Sequence, residues 1–350
     1  MKTLTYMALV LATILSDIKG FAQLDPSTFT KVDSLLHTTV PRSFNGVVLV
    51  THRGKTIYSK TRGYADFKNG TSFTIDDNFR IQSNTKQVTA ALVLLEVEKG
   101  RVDLHRPIRK YLPDLSQSWA DTITVHQLLN MSSGIIHLDR PLAFQPGKGF
   151  HYSNPAYGLL GKILQNVTGK TYAEIAEALF KKLDMQRTYC FDTDHKRPDL
   201  VRGHTASEHD TAMVEFDRLG FTKQSWEDFL PTGGLISNVR DLTLWDEKLH
   251  GGLILSPKSY DMMVQSDIQD RDTTFSDGES TYGYGVNVSK KGPLKYIGHA
   301  GRGLGFVSIK IYIPERDLGI IVWENTYHRD LKLVYHFERE IRRIILEAVN

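Results

Sequence analysis

The chain has 350 residues, of which 43 are Lys or Arg and 40 are Asp or Glu, for a formal net charge of +3. So even a balance, without a basic run or an aromatic-basic stripe, excludes an electrostatic nucleic-acid binder. With 24% charged and 41% hydrophobic residues it has an ordinary globular composition, long enough for one large domain or two modest ones.

Residues 1–22 stand apart. Lys2 gives a short positive start and Leu4 to Leu15 is an apolar run of signal-peptide length. Gly20-Phe21-Ala22 offers small residues for cleavage, so cutting after Ala22 is expected, with export to the periplasm or beyond. The run is short for a bilayer span and is interrupted by Asp17 and Lys19. No later segment is apolar enough to span, so stable membrane insertion is not expected. The single cysteine, Cys190, has no partner for an internal disulfide and reads as a small buried hydrophobe.

Ser43 to Lys60 reads as a hairpin turning at Arg53-Gly54-Lys55. A central helix is expected from about Ser83 to Lys99, with Val88, Ala91, Leu92 and Leu95 on its buried face and Gly100 as its stop. Pro107 and Pro113 keep Leu104 to Leu115 irregular. Thr122 or Thr124 caps a helix through Leu129. Tyr157 to Val167 and Tyr172 to Leu183 are helical, and Tyr152-Ser153-Asn154 lies in a loop before them. Residues 190–228 are polar and turn-rich and show no organisation. Thr232 to Ser237 is a tight glycine-rich passage, followed by a helix over Val239 to His250. A strand begins at Tyr282, and Phe306 to Ile313 and Leu318 to Glu324 are strands joined at Pro314–Asp317. An amphipathic helix, about Asp330 to Ala348, closes the chain. Strands joined by so short a turn are antiparallel. The fold class is therefore α+β: an antiparallel sheet built from both chain ends, flanked by helices, with a mostly helical inserted region.

Ser83 and Lys86 are three residues apart at a helix start, so hydroxyl and amine share a face. A serine needs a base to become a nucleophile, and a lysine serves as base only when burial or the helix's positive end lowers its pKa. Alone, the tetrapeptide is common. It is followed in order by Tyr152-Ser153-Asn154 and by His299-Ala300-Gly301. This succession resembles the serine β-lactamase and penicillin-binding protein superfamily, in its class C β-lactamase, DD-peptidase and esterase branch. Further matches include Tyr111-Leu112-Pro113, Ser132-Ser133-Gly134, Pro146-Gly147, Gly233-Gly234-Leu235 and Tyr282-Gly283-Tyr284-Gly285.

Behind the leader expected over 1–22, the resemblance implies one β-lactamase-like catalytic domain over 23–350. Its α/β part spans about 23–82 and 230–350, its helical part about 83–229. It implies that Ser83 attacks an acyl carbon, that Lys86 takes or relays the proton, and that Tyr152 shuttles protons to the leaving group and from water. Asn154 would bond Lys86 and the substrate amide. His299 and Gly301 would line the substrate side, and the backbone amides of Ser83 and Arg302 would form an oxyanion hole. The Arg302 side chain, able to clamp a carboxylate, reads equally well as solvated. No cofactor or metal is implied; His204, Glu208 and His209 match no zinc spacing and read as a polar loop. The third motif departs from Lys-Thr-Gly, since His299 is mostly neutral above about pH 6.5 and Ala300 lacks a hydroxyl. That favours a DD-peptidase, aminopeptidase or esterase over a dedicated β-lactamase. The expected partner is a small-molecule or peptide substrate, cell-wall peptides among them, and a non-turnover penicillin or peptidoglycan binder is the other class. The oligomeric state is not legible.

Overall fold

The computed structural model describes residues 24–191, 200–207, 211–215, 218–265, 268–270, 274–276 and 278–350. The expected leader over 1–22 and two members of the polar loop, Glu208 and His209, lie outside them.

An eight-stranded antiparallel sheet forms the centre. Its strands are β1 (Gly46–His52), β2 (Lys55–Arg62), β3 (Gln269–Asp270), β4 (Ser280–Tyr282), β5 (Asn287–Lys291), β6 (Leu294–Gly303), β7 (Phe306–Ile313) and β8 (Leu318–Glu324), in the spatial order β3-β4-β5-β6-β7-β8-β1-β2. The N-terminal hairpin thus joins the sheet beside the last long strand, with Val48 opposite Val322. The hairpin turns on Arg53 and Gly54, both at positive φ (52° and 69°), the arrangement that matches strand twist.

Alternation along the buried strands loads both faces. Val48, Val50, Ile309, Ile311, Ile320 and Val322 pack against α1 (Pro26–Leu36) and the closing helix. Val47, Leu49, Ile321 and Trp323 face the helical region. That region holds α2 (Thr85–Glu98), α3 (Val125–Leu129), α4 (Asn154–Thr168), α5 (Tyr172–Lys182), α6 (Lys223–Gly233), α7 (Val239–His250) and α8 (Pro257–Val264). The closing helix α9 (His336–Val349) buries Phe337, Ile341, Ile345 and Leu346 on one stripe. It begins six residues later than expected, because a strand, Thr326–His328, and turns occupy the chain before it.

Other elements follow from local chemistry. Helix α1, for which the sequence reading gave no expectation, is capped by Asp25, whose side chain accepts from the Ser27 amide, with Pro26 in the first turn. Thr124 and Gln127 close a reciprocal capping box at α3. The strand expected from Tyr282 instead ends there, and a turn separates it from β5. Part of the unorganised stretch 190–228 is ordered: His204–Ala206 and Thr211–Met213 form strands, and α6 begins at Lys223 behind a Thr222 cap. The glycine-rich passage after Thr232 is the end of α6 followed by the strand Leu235–Ser237. Cys190 is buried in a short strand, as a hydrophobe would be.

One buried ionic cluster ties the chain ends together. Arg42 donates to both oxygens of Glu324 at 2.7 Å and to the carbonyl of Val334, and the carboxyl of Glu338 lies 3.9 Å away. Burial and the neighbouring Glu324 carboxylate hold Glu338 well above the usual carboxylate range.

Candidate active site

The chain enters the site along Phe79–Arg80, which pairs with Leu235–Ser237, and the Ile81 amide adds a bond to the Leu235 carbonyl at 3.1 Å. It then turns sharply. Gln82 is buried and adopts φ 50°, a left-handed conformation costing a non-glycine residue on the order of 1 kcal/mol. Ser83 sits in a one-turn 3₁₀ segment, Gln82–Asn84, and α2 starts two residues on at Thr85. Helix α2 is buried on all sides from Thr85 to Leu94, not only on the expected stripe, and Leu95 is merely half-buried. A helix enclosed this way carries Lys86 into the interior.

The Lys86 Nζ is fully buried and has three partners: Ser83 Oγ at 3.2 Å, Asn154 Oδ1 at 2.9 Å and the Thr232 carbonyl at 2.7 Å. Thr232 lies in the last turn of α6, where helical carbonyls lack internal partners. Thr89, one turn beyond Lys86 on α2, donates to the neighbouring Pro231 carbonyl. Residues of α2 therefore cap α6, and Gly161 makes room by letting α4 approach Pro231, where a Cβ would lie 2.2 Å from the ring. Burial holds Lys86 well below the ordinary lysine value of 10.5. Two of its three partners can only accept, whereas the Ser83 hydroxyl can also donate. A neutral amine fits this arrangement: two N–H bonds to Asn154 and Thr232, and a lone pair toward Ser83.

Asn154 is the first residue of α4 and not part of a loop as expected. Ser153 caps that helix by accepting from the Ala156 amide, which fixes the motif. Tyr152 precedes the cap and is 38% exposed. Its ring centroid lies 4.9 Å from Lys86 Nζ and 6.1 Å from that of His299.

The third motif lies inside β6, which runs directly into β7 at Phe306. His299 is buried opposite Lys310 in register, and Gly301 is opposite Ser308. The His299 Nδ1 contacts the Ala300 carbonyl, so it carries the proton, and Nε2 accepts from the Tyr282 hydroxyl at 2.9 Å. Burial lowers the imidazole to about 3, so the ring is neutral at every physiological pH. A Cβ at Gly301 would meet Ser308 Oγ at 2.8 Å and both Gln82 Cβ and the Ile81 carbonyl at 2.9 Å; only glycine lets β6 lie this close to the turn that carries Ser83. Strand β5 covers β6 only from Leu294 to Gly298. Arg302 is exposed and its guanidinium forms no hydrogen bond or ion pair among the described residues.

A cavity of about 400 Å³ joins these groups. Ser83, Tyr152, Asn154, His299 and Arg302 line it, with Phe150, Phe275 and Tyr335 supplying aromatic walls and Asp270 and Asn287 polar ones. Lys86 lies behind this lining, bonded to Ser83 and Asn154, and Gly301 stands beside Arg302 on β6 against the Ser83 turn. Sequence reasoning missed the Thr232 carbonyl, a backbone group without a side-chain signature, and the part played by Tyr282. It also missed Gln82, whose only signal is its place immediately before Ser83. Among the described residues no cluster of His, Cys, Asp or Glu could hold a metal ion, and His204 stands in a strand. No helix among them is long and apolar enough to cross a membrane.

The model of the family described as Beta-lactamase matches residues 37–342. The chain belongs to the Beta-lactamase family. It is 26% identical over 322 residues to protein flp of Staphylococcus aureus, with 84% of this chain covered; it spans 62% of that longer relative. The D-amino acid amidase of Ochrobactrum anthropi SV3, solved with D-phenylalanine, superposes with a TM-score of 0.77 at 25% identity, covering 92% of this chain and 99% of that one. The octameric penicillin-binding protein homologue from Pyrococcus abyssi superposes at 0.73 with 27% identity, covering 85% and 73%. These neighbours share the α+β architecture described above.

Proposed function

We propose that this protein hydrolyses amide or ester bonds through an acyl-enzyme on Ser83, in the manner of a DD-peptidase, D-amino-acid amidase or esterase. The observation that carries the reading is the buried Lys86 amine, 3.2 Å from the Ser83 hydroxyl and fixed by two acceptors, with burial lowering its pKa. Lys86 accepts the Ser83 proton as Oγ attacks the acyl carbon. The backbone amides of Ser83 and Arg302 hold the developing oxyanion. Tyr152, over the amine, passes a proton to the departing amine or alcohol and then draws one from the water that cleaves the ester. The neutral His299 gives no positive charge to a β-lactam carboxylate, so the cation left at the cavity is Arg302, and an anionic leaving group would be met there. The likeness to D-amino acid amidase supports a D-configured acyl group, with cell-wall peptides among the substrates. The leader expected over residues 1–22 would place this activity in the periplasm or outside the cell.

The test is intact-mass analysis after parallel exposure to a fluorophosphonate, a penicillin and a D-Ala-D-Ala peptide. One fluorophosphonate adduct, absent in Ser83→Ala, with turnover of an amide or ester supports the reading. A stable penicillin adduct without turnover of any substrate makes the protein a binder, and rapid penicillin turnover makes it a β-lactamase. No adduct with any reagent refutes the acyl-enzyme.

A further inference from the structure

Gln82 connects the two places from which oxyanion donors come. Its backbone precedes Ser83, in the left-handed conformation that aims the next amide. Its side chain crosses to β6, where Nε2 donates to the Gly303 carbonyl at 2.8 Å. Gly303 is the residue after Arg302. The glutamine therefore spans from one residue before the first donor to one residue after the second. It is almost fully buried, at 2% exposure, and its Cβ faces Gly301, where an added methyl would lie 2.9 Å away. Gly303 itself has φ 140°, and a Cβ there would meet the Gln82 amide at 3.3 Å, so this stretch of strand is shaped to the glutamine. On the other side of Ser83, Asn84 Nδ2 donates to Ser308 Oγ at 2.9 Å on β7. The nucleophile's turn is fastened to the sheet by both its neighbours.

We propose that Gln82 is a positioning residue that sets the separation of the Ser83 and Arg302 amides, and so determines how well the site holds a tetrahedral oxyanion. It touches neither substrate nor Ser83 Oγ in this role. A left-handed backbone before a nucleophile is most cheaply built with glycine. A glutamine here accepts backbone strain and offers in return a strut of fixed length, carrying its only donor group to the opposing strand. The proposal rests on the acyl-enzyme reading, because the amides matter only if an oxyanion forms between them.

Two variants separate the strut from the fold. Gln82→Met keeps the volume and the backbone strain but removes the donor to Gly303. Gln82→Gly removes the strut and also the strain, so its thermal stability need not fall. The measurements are the rate of fluorophosphonate labelling at Ser83, KM and kcat for a chromogenic ester, and inhibition by a boronic acid that forms a tetrahedral adduct. In both variants we expect labelling and kcat to fall about 10- to 100-fold, boronate affinity to fall in parallel, and KM to stay within about threefold. A glutamine that merely packed would show its loss in unfolding temperature and leave boronate affinity unchanged. Wild-type protein that labels, with variants labelling and binding boronate equally well, overturns the proposal alone. Wild-type protein that takes up no fluorophosphonate overturns the acyl-enzyme reading and this proposal with it.

Discussion

Gly301→Ala should damage stability and activity through one methyl group. The new Cβ would lie 2.9 Å from the Ile81 carbonyl and from Gln82 Cβ, and 2.8 Å from Ser308 Oγ. Ser308 could rotate, but would then lose its bond with Asn84. The other two neighbours are fixed to the backbone. They are about 0.5 Å too close for ordinary contact, so β6 and the Ser83 turn must separate by several tenths of an ångström. Overpacking of this kind costs about 1–3 kcal/mol. The same displacement moves the Arg302 amide away from the Ser83 amide, and misplacement on that scale can cost up to about 100-fold in rate. Urea denaturation at unchanged m-value reads the first effect, and kcat for an activated ester reads the second. A variant within about 0.5 kcal/mol of wild type, with kcat within twofold, would show that strand and turn do not abut as described.

Three further outcomes are expected. Lys86→Arg puts a permanent positive charge where the neutral amine stands and cannot accept a proton, so kcat/KM should fall about 10²–10⁴-fold, and an active variant would remove Lys86 from the role of base. The His299 imidazole has its folded pKa lowered to about 3 from 6.5; its contribution to stability is therefore complete above about pH 6.5 and is lost as the pH falls toward 3. At pH 5 this amounts to about 2 kcal/mol relative to pH 8, and His299→Asn should lack that part of the slope in paired denaturation curves. Arg42→Leu strands the Glu324 carboxylate in the interior and should cost about 3–5 kcal/mol; a thermal melt matching wild type would contradict the cluster.

Much of the site could be read from sequence because its chemistry is local. Ser83 and Lys86 meet within one turn, and Ser153 both caps α4 and holds Tyr152 and Asn154 on either side of it. The C-terminal hairpin was legible from alternation and a four-residue turn. What escaped was set by tertiary contact. Helix α2 shows no one-sided pattern because it is enclosed, so the periodicity of Val88 to Leu95 suggested an exposed side that is absent between Thr85 and Leu94. The strand β6 was hidden because Gly298, Gly301 and Gly303 depress strand propensity, while each serves a close approach to β7, the Ser83 turn or Gln82. The strands within 190–228 are three residues or shorter and owe their existence to partners far along the chain, such as Thr326–His328 beside His204–Ala206.

The place of β1 between β2 and β8 has a consequence for biogenesis. A strand made within the first sixth of the chain finds its partner only when residues 318–324 have emerged, and α9 follows to cover that face. Contacts this distant in sequence form slowly. A polypeptide stopped near residue 300 would lack both β7 and β8 and should be digested throughout by a protease that spares the full chain.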